Sequence, residues 1–159
     1  MFLDEFQWLA SNQSKLVSLI KENQRRNLFS QLVKPVWNSW LGFAFESFCM
    51  KNAYYLAEVM GFADQVRQWG PLFNQDSTKF QVDLIYLRQD NVITLCEIKF
   101  HNKPITTSII KEVERKCKLI SLPRGYTLET ALISKCGVDT SLDELDYFQH
   151  VVSLEDIFA

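Results

Sequence analysis

The stretch Val92-Ile93-Thr94-Leu95-Cys96-Glu97-Ile98-Lys99-Phe100 decides the fold and contains the first candidates for a functional site. It is rich in β-branched side chains and follows the polar residues Gln89-Asp90-Asn91, which predicts a strand after a turn. Because successive side chains of a strand point to opposite faces, Glu97 and Lys99 share one face. A carboxylate in so apolar a strand is costly unless a partner compensates its charge.

The sequence around this strand predicts a mixed α/β domain. Apolar residues at helical spacing indicate a central, mostly buried helix over 36–60, with Gly61 as its stop. The remaining elements are expected to be strands over 66–73, 80–87, 126–134 and 150–152, a helix over 106–122 and a terminal segment over 154–158. The helix over 106–122 acts as a crossover that places the next strand parallel to a neighbour. The order α-β-β-β-α-β therefore predicts a mixed central sheet flanked by helices.

The length of 159 residues fits one α/β domain with a short extension. Pro35 marks the boundary, because proline is tolerated in the first turn of a helix and disfavoured inside one. We therefore expect an N-terminal helical extension over 1–34 and the α/β domain over 35–159.

The register of the hairpin before Glu97 predicts a pair of carboxylates. If the tip consists of Gln89–Asn91, Arg88 pairs with Val92, and counting back places Asp83 directly opposite Glu97. Their Cβ atoms would then lie about 5 Å apart. An error of one residue in the tip would shift this pairing.

Two adjacent carboxylates repel each other unless a cation lies between them. The expected cation is Mg²⁺, with Mn²⁺ as a substitute, held by Asp83 and Glu97. Lys99 could orient or deprotonate an attacking water or stabilise charge on a phosphodiester, and Glu46 on the central helix could reach the same site. The alternative is structural: Asp83 bonds to turn amides, Glu97 pairs with Lys99 or Lys79, and Glu46 is solvated.

Composition and charge exclude some classes of protein. A net charge of −2 argues against coating nucleic acid by bulk electrostatics. No apolar run approaches the roughly 20 residues of a membrane helix, so no membrane partner is expected. The acidic start Met1-Phe2-Leu3-Asp4-Glu5 is unlike the basic start of a secretory signal, which predicts a cytoplasmic protein.

One segment is nevertheless basic. Lys111, Arg115 and Lys118 follow one another at i, i+4 and i+7 on the predicted helix, and His101 and Lys103 precede it. These five side chains are candidates for contacts with backbone phosphates, which supply affinity without sequence information. A solvated helix surface is the alternative.

Four segments carry a resemblance to a known superfamily. They are Trp37-Asn38-Ser39-Trp40-Leu41-Gly42-Phe43-Ala44-Phe45-Glu46, Val82-Asp83-Leu84-Ile85, Asn91 to Phe100, and Val152-Ser153-Leu154-Glu155-Asp156-Ile157-Phe158. Together they resemble the restriction-endonuclease-like PD-(D/E)XK nuclease superfamily, in particular the C-terminal domain of a family of prokaryotic AAA-type ATPases, over residues 32–159. The sequence contains no G-x-x-x-x-G-K-[ST] phosphate loop, so the resemblance does not extend to the ATPase itself.

The resemblance implies a Mg²⁺-dependent DNA endonuclease. Asp83, Glu97 and the carbonyl of Ile98 would bind the metal, Lys99 would assist catalysis, and Glu46 would be an outer carboxylate of the site. The alternative is a nuclease-fold module without turnover that binds DNA or regulates a partner AAA-type ATPase in trans. A second copy of the chain is a further candidate partner, and a purely structural dimer module is a third hypothesis.

Overall fold

The computed structural model describes residues 34–74 and 80–159. The predicted N-terminal extension over 1–34 thus lies outside the described residues, except for its last residue. The chain divides into two compact units between Trp40 and Leu41, and Leu41–Ala159 form the unit that contains the sheet. The domain boundary at residue 35 stays a prediction.

The order of elements confirms the predicted α/β fold. In chain order the elements are α1 (Lys34–Lys51), α2 (Ala53–Val59), a 3₁₀ turn (Ala63–Gln65), β1 (Val66–Asn74), β2 (Phe80–Arg88), β3 (Val92–Lys99), α3 (Ile109–Leu119), β4 (Thr127–Ser134), α4 (Thr140–Asp143), β5 (His150–Ser153) and α5 (Leu154–Phe158). The sheet has the strand order β1-β2-β3-β4-β5. Its first two pairings are antiparallel, and β3 to β5 run parallel, so α3 is the expected crossover.

The central strand β3 is buried on both faces. All residues from Ile93 to Ile98 are buried, which explains why this stretch is apolar without alternation. On one face, Cys96 and Ile98 pack in a core with residues of α1, α2 and α5. On the other, Leu95 packs with residues of α3 and α4. Two layers of helices therefore hold β3 in the middle of the domain.

The helix expected over 36–60 differs from the structure in two ways. It is interrupted after Lys51, where the side-chain amide of Asn52 donates to the carbonyl oxygen of Phe48 at 2.8 Å. It is also less buried than expected: of the described α1 side chains only Phe45 and Cys49 are buried. An apolar helix on one face of a sheet covers its partner with one stripe, and its other side chains stay in solvent.

The hairpin register is the expected one. The paired residues run from Leu87 opposite Ile93 to Leu84 opposite Cys96, and one further step places Asp83 opposite Glu97. Asn91 closes the turn with φ 62°, a left-handed conformation that asparagine tolerates.

Within 34–74 and 80–159, no helix combines the length and the apolar character that crossing a bilayer requires.

Candidate functional site

An open groove of about 870 Å³ lies where α1 and α3 approach the first three strands. Its lining residues are Phe43, Glu46, Phe73, Phe80, Gln81, Asp83, Lys99, Glu112, Arg115 and Lys116. The fold therefore brings Glu46, Asp83 and Lys99 together on one surface. These residues are far apart along the chain, and the register of the hairpin and the packing of α1 bring them close together.

Glu97 lies beneath the groove and is completely buried. Lys116 Nζ donates to its Oε2 at 2.6 Å. Lys99 Nζ forms an ion pair with Oε1 at 2.8 Å, at an angle that makes no hydrogen bond. Two ammonium groups thus compensate the carboxylate that the apolar strand could not stabilise. Lys99 is one of the two structural partners expected for Glu97. The other, Lys79, lies outside the described residues.

Lys99 and Lys116 are linked by a second carboxylate, that of Glu112. Its Oε1 lies 3.4 Å from Lys99 Nζ and 3.7 Å from Lys116 Nζ. Burial raises the pKa of Glu112, but the two lysines outweigh it and hold the pKa below its usual value. Glu112 is therefore ionised at neutral pH and completes a network of two carboxylates and two lysines.

The ion pairs also determine the protonation of Lys99. Burial lowers the pKa of Lys99, but Glu97 and Glu112 outweigh it, so the pKa is raised. Lys99 is therefore an ammonium group at neutral pH. In this arrangement it can stabilise negative charge, whereas it has no free lone pair with which to deprotonate a water.

Asp83 is held less tightly. Its Oδ2 accepts from the backbone N–H of Ile98 at 3.4 Å, and its Oδ1 accepts from Gln81 Nε2 at 3.5 Å. Both bonds are long for N–H···O geometry. Among the described residues, no lysine or arginine forms an ion pair with Asp83. Its carboxylate thus contributes uncompensated negative charge to the groove.

The charge of Asp83 affects the pKa of Glu46. Its pKa is raised, first by burial and second by Asp83, while Lys99 acts in the opposite direction. The groove therefore has two halves: a compensated cluster around Glu97, and a pair of carboxylates, Glu46 and Asp83, with an excess of negative charge.

We expect Glu46→Gln to raise the melting temperature at pH 8 and to leave it nearly unchanged at pH 4. Since the folded-state pKa of Glu46 lies above its ordinary 4.5, the stability linked to its protonation is present below pH 4.5 and is lost as pH rises through the folded-state pKa. Thermal unfolding of both proteins at the two pH values tests this. Glu58→Gln, at an exposed position of α2, is the control. An equal or lower melting temperature of Glu46→Gln at pH 8 would contradict the expectation.

The chemistry of the groove is compatible with Mg²⁺. In the part of the chain that the structure describes, no three His, Cys, Asp or Glu side chains are grouped closely enough to hold a metal. Mg²⁺ commonly takes only one or two protein carboxylates and completes its shell with waters and substrate phosphates. The oxygens of Asp83, which form no ion pair with a lysine or arginine among the described residues, are hard ligands of this kind. Glu97 would join them where the cation takes the place of a lysine at one of its oxygens.

The five residues predicted to contact phosphates are distributed unevenly. Arg115 lines the groove, whereas Lys111 and Lys118 are exposed elsewhere on α3. His101 and Lys103 are exposed in the segment between β3 and α3. The structure therefore brings one of the five to the groove, and their contacts with phosphate stay a prediction.

Sequence reasoning missed Lys116 and Glu112. A signal for Lys116 was present, because it lies at i, i+4 and i+7 with Ile109 and Val113 and so falls on the buried face of α3. A lysine at an apolar position of an amphipathic helix indicates a buried acidic partner.

The comparisons with known proteins assign a family without a function. No curated protein and no solved structure matches the chain. The profile of the DUF234 family matches residues 8–116, a range that includes Glu97 and every residue lining the groove. Because the match covers more than half of the sequence, the chain belongs to this family, described as archaeal and bacterial proteins of unknown function.

Proposed function

We propose that the groove hydrolyses phosphodiester bonds of DNA with Mg²⁺, for which Mn²⁺ can substitute. The observation that carries the proposal is Glu97, a carboxylate with 0% exposure in an apolar strand, covered by two ammonium groups at the floor of a groove. Groups with shifted pKa values in one cleft, here Glu46, Lys99 and Glu112, are enriched at functional sites. The resemblance to the PD-(D/E)XK nuclease superfamily supports the same assignment.

The roles of the residues follow from their surroundings. Asp83 and Glu97, with the carbonyl of Ile98, would hold the cation. When bound, Mg²⁺ would supply neutralisation of the phosphate and a lower pKa for an attacking water. Lys99, held as an ammonium by Glu97 and Glu112, stabilises the negative charge that develops on the phosphate.

Two further residues have roles in the proposed reaction, one in binding the substrate and one in accepting a proton. Arg115 binds a neighbouring backbone phosphate from the wall of the groove and orients the scissile bond. Glu46, whose pKa is raised by burial and by Asp83, takes up at its carboxylate the proton that the attacking water loses.

We expect Lys99→Met to lower Mg²⁺-dependent cleavage of DNA by at least about 100-fold, as for other groups that stabilise charge in a transition state. The measurement is cleavage of labelled duplex, single-stranded and branched DNA by wild type and variant, purified in parallel. Lys51→Met removes an exposed lysine at the end of α1, outside the groove, and should cleave like wild type. Cleavage by Lys99→Met at the wild-type rate would assign the activity to another site or to a contaminant.

Binding of Mn²⁺ tests the same site without a choice of substrate. Wild type should bind one or two ions saturably, and Asp83→Asn should lose this binding. Asp143→Asn, at an exposed position of α4, should retain it. An unchanged affinity of Asp83→Asn would remove Asp83 from the proposed site.

One observation favours a second candidate function. Lys116 and Lys99 already occupy both oxygens of Glu97, which is how a site without a metal would keep that carboxylate buried. The corresponding function is a catalytically silent module that binds DNA or regulates a partner AAA-type ATPase. DNA affinity in a folded protein that binds no Mn²⁺ at millimolar concentration would favour this module over the nuclease.

A further inference from the structure

Two phenylalanines on the rim of the groove are unusually exposed. Phe43 on α1 is 70% exposed and Phe73 on β1 is 57% exposed, and both line the groove. Among the described residues, neither ring stacks on another aromatic ring. Phenylalanine is normally buried, so two exposed rings on different elements of one groove indicate a ligand with an apolar, planar part.

We propose that the groove binds single-stranded nucleic acid, with unpaired bases stacked on Phe43 and Phe73 and a backbone phosphate on Arg115. This inference rests on the proposed function in taking a nucleic acid as the ligand. It adds the class of substrate, namely a strand whose bases are not paired at the site of contact.

The chemistry of the rim separates single strands from duplexes. Inside a duplex both faces of a base are covered by its neighbours, whereas an unpaired base offers a free face to an aromatic ring. Aromatic rings on which bases stack are the common feature of sites for single strands, and each stacked base contributes about 1–3 kcal/mol. Duplex binding depends more strongly on positive charge, which a protein of net charge −2 offers only locally.

The cations of the groove limit where the strand can run. Lys99 and Lys116 are engaged by Glu97 and Glu112. Arg115 lines the groove, and among the described residues no carboxylate forms an ion pair with it. Its guanidinium is therefore available to a phosphate, and it lies on the same groove as the two rings. The bases would then lie toward Phe43 and Phe73 and the backbone toward α3.

The test is fluorescence anisotropy with a labelled oligothymidylate and with a duplex of the same length, measured in Ca²⁺ in place of Mg²⁺. Wild type should prefer the single strand. Phe43→Ala and Phe73→Ala should each weaken its binding by about 5- to 150-fold, which corresponds to the loss of one stacked base. Phe43→Trp should retain the affinity, because it keeps a stacking surface.

Phe158→Ala is the matched control, since Phe158 is 73% exposed and lies outside the groove. It should bind the oligonucleotide like wild type. Equal affinity for duplex and single strand, or wild-type affinity of both phenylalanine variants, would overturn the inference, and so would the absence of oligonucleotide binding by wild type.

The outcomes also distinguish this inference from the proposed function. Lys99-dependent cleavage of duplex DNA by a protein whose phenylalanine variants bind normally would keep the nuclease and reject the single-strand site. Binding of single strands that depends on Phe43 and Phe73, in a protein that cleaves nothing, would keep the site and reject the hydrolysis.

Discussion

Glu97→Ala is expected to lower the free energy of unfolding by about 3–5 kcal/mol, the loss seen when one partner of a buried ion pair is removed. The variant leaves Lys116, which is 5% exposed, with its charge uncompensated at the position where Glu97 accepted a 2.6 Å hydrogen bond. Glu112 replaces that partner only in part, because it lies 3.7 Å from Lys116 Nζ and faces solvent. Urea denaturation at pH 7, followed by circular dichroism, measures the loss.

Glu114→Ala is the matched control for this prediction. Glu114 is an exposed glutamate of α3 whose only ion pair among the described residues is with Lys118, at 4.0 Å. Such a surface pair contributes about 0–0.5 kcal/mol within a helix. A loss for Glu97→Ala as small as that for Glu114→Ala would show that Lys116 reaches solvent at little cost and that the buried network contributes little to stability.

Lys116→Met is expected to lower the free energy of unfolding by about 2–3 kcal/mol, less than Glu97→Ala. Glu97 would keep one cation, because Lys99 Nζ remains 2.8 Å from Oε1. Lys118→Met, on the same helix with a side chain 79% exposed, should change the stability by less than about 0.5 kcal/mol. Both variants replace a lysine of α3 by methionine, and the two lysines differ in their burial and their partners. The same denaturation experiment compares them.

The double variant Glu97→Met with Lys116→Met, measured beside Glu97→Met alone and Lys116→Met alone, tests the physical cause. Removing both partners of a buried ion pair leaves neither charge stranded, so its loss of stability should be smaller than the sum of the two single losses. Lys99 would lose a partner but is 25% exposed and can turn to water. Additive losses would show that packing, and not the ion pair, accounts for the single effects.

Lys116→Met also bears on the choice between the two proposed functions. In a nuclease, the loss of Lys116 frees Glu97 Oε2 for a cation, and binding of Mn²⁺ should become tighter than in wild type. In a silent module the same substitution would lower the stability without creating metal binding. The second result would show that the lysine cover of Glu97 has a structural role only.

The element order and the hairpin register could be predicted because they depend on local rules. Alternation places Glu97 and Lys99 on one face, and a three-residue tip ending in Asn91 sets the pairing that leads to Asp83. The break at Asn52 was not predictable from periodicity, because apolar residues continue at helical spacing through it. The side chain of Asn52 donates a hydrogen bond to the carbonyl oxygen of Phe48, and such a local interaction leaves no trace in a hydrophobic pattern.

The sequence by itself determined the order of the elements, the register of the hairpin before Glu97 and the shared face of Glu97 and Lys99, since these follow from local patterns, the length of a turn and the pleat of a strand. Only the tertiary structure decided that Lys116 covers Glu97 and that Glu46 shares a groove with Asp83. Those contacts depend on how α1 and α3 are placed against the sheet, which is set by the packing of whole faces and not by the spacing of residues along the chain.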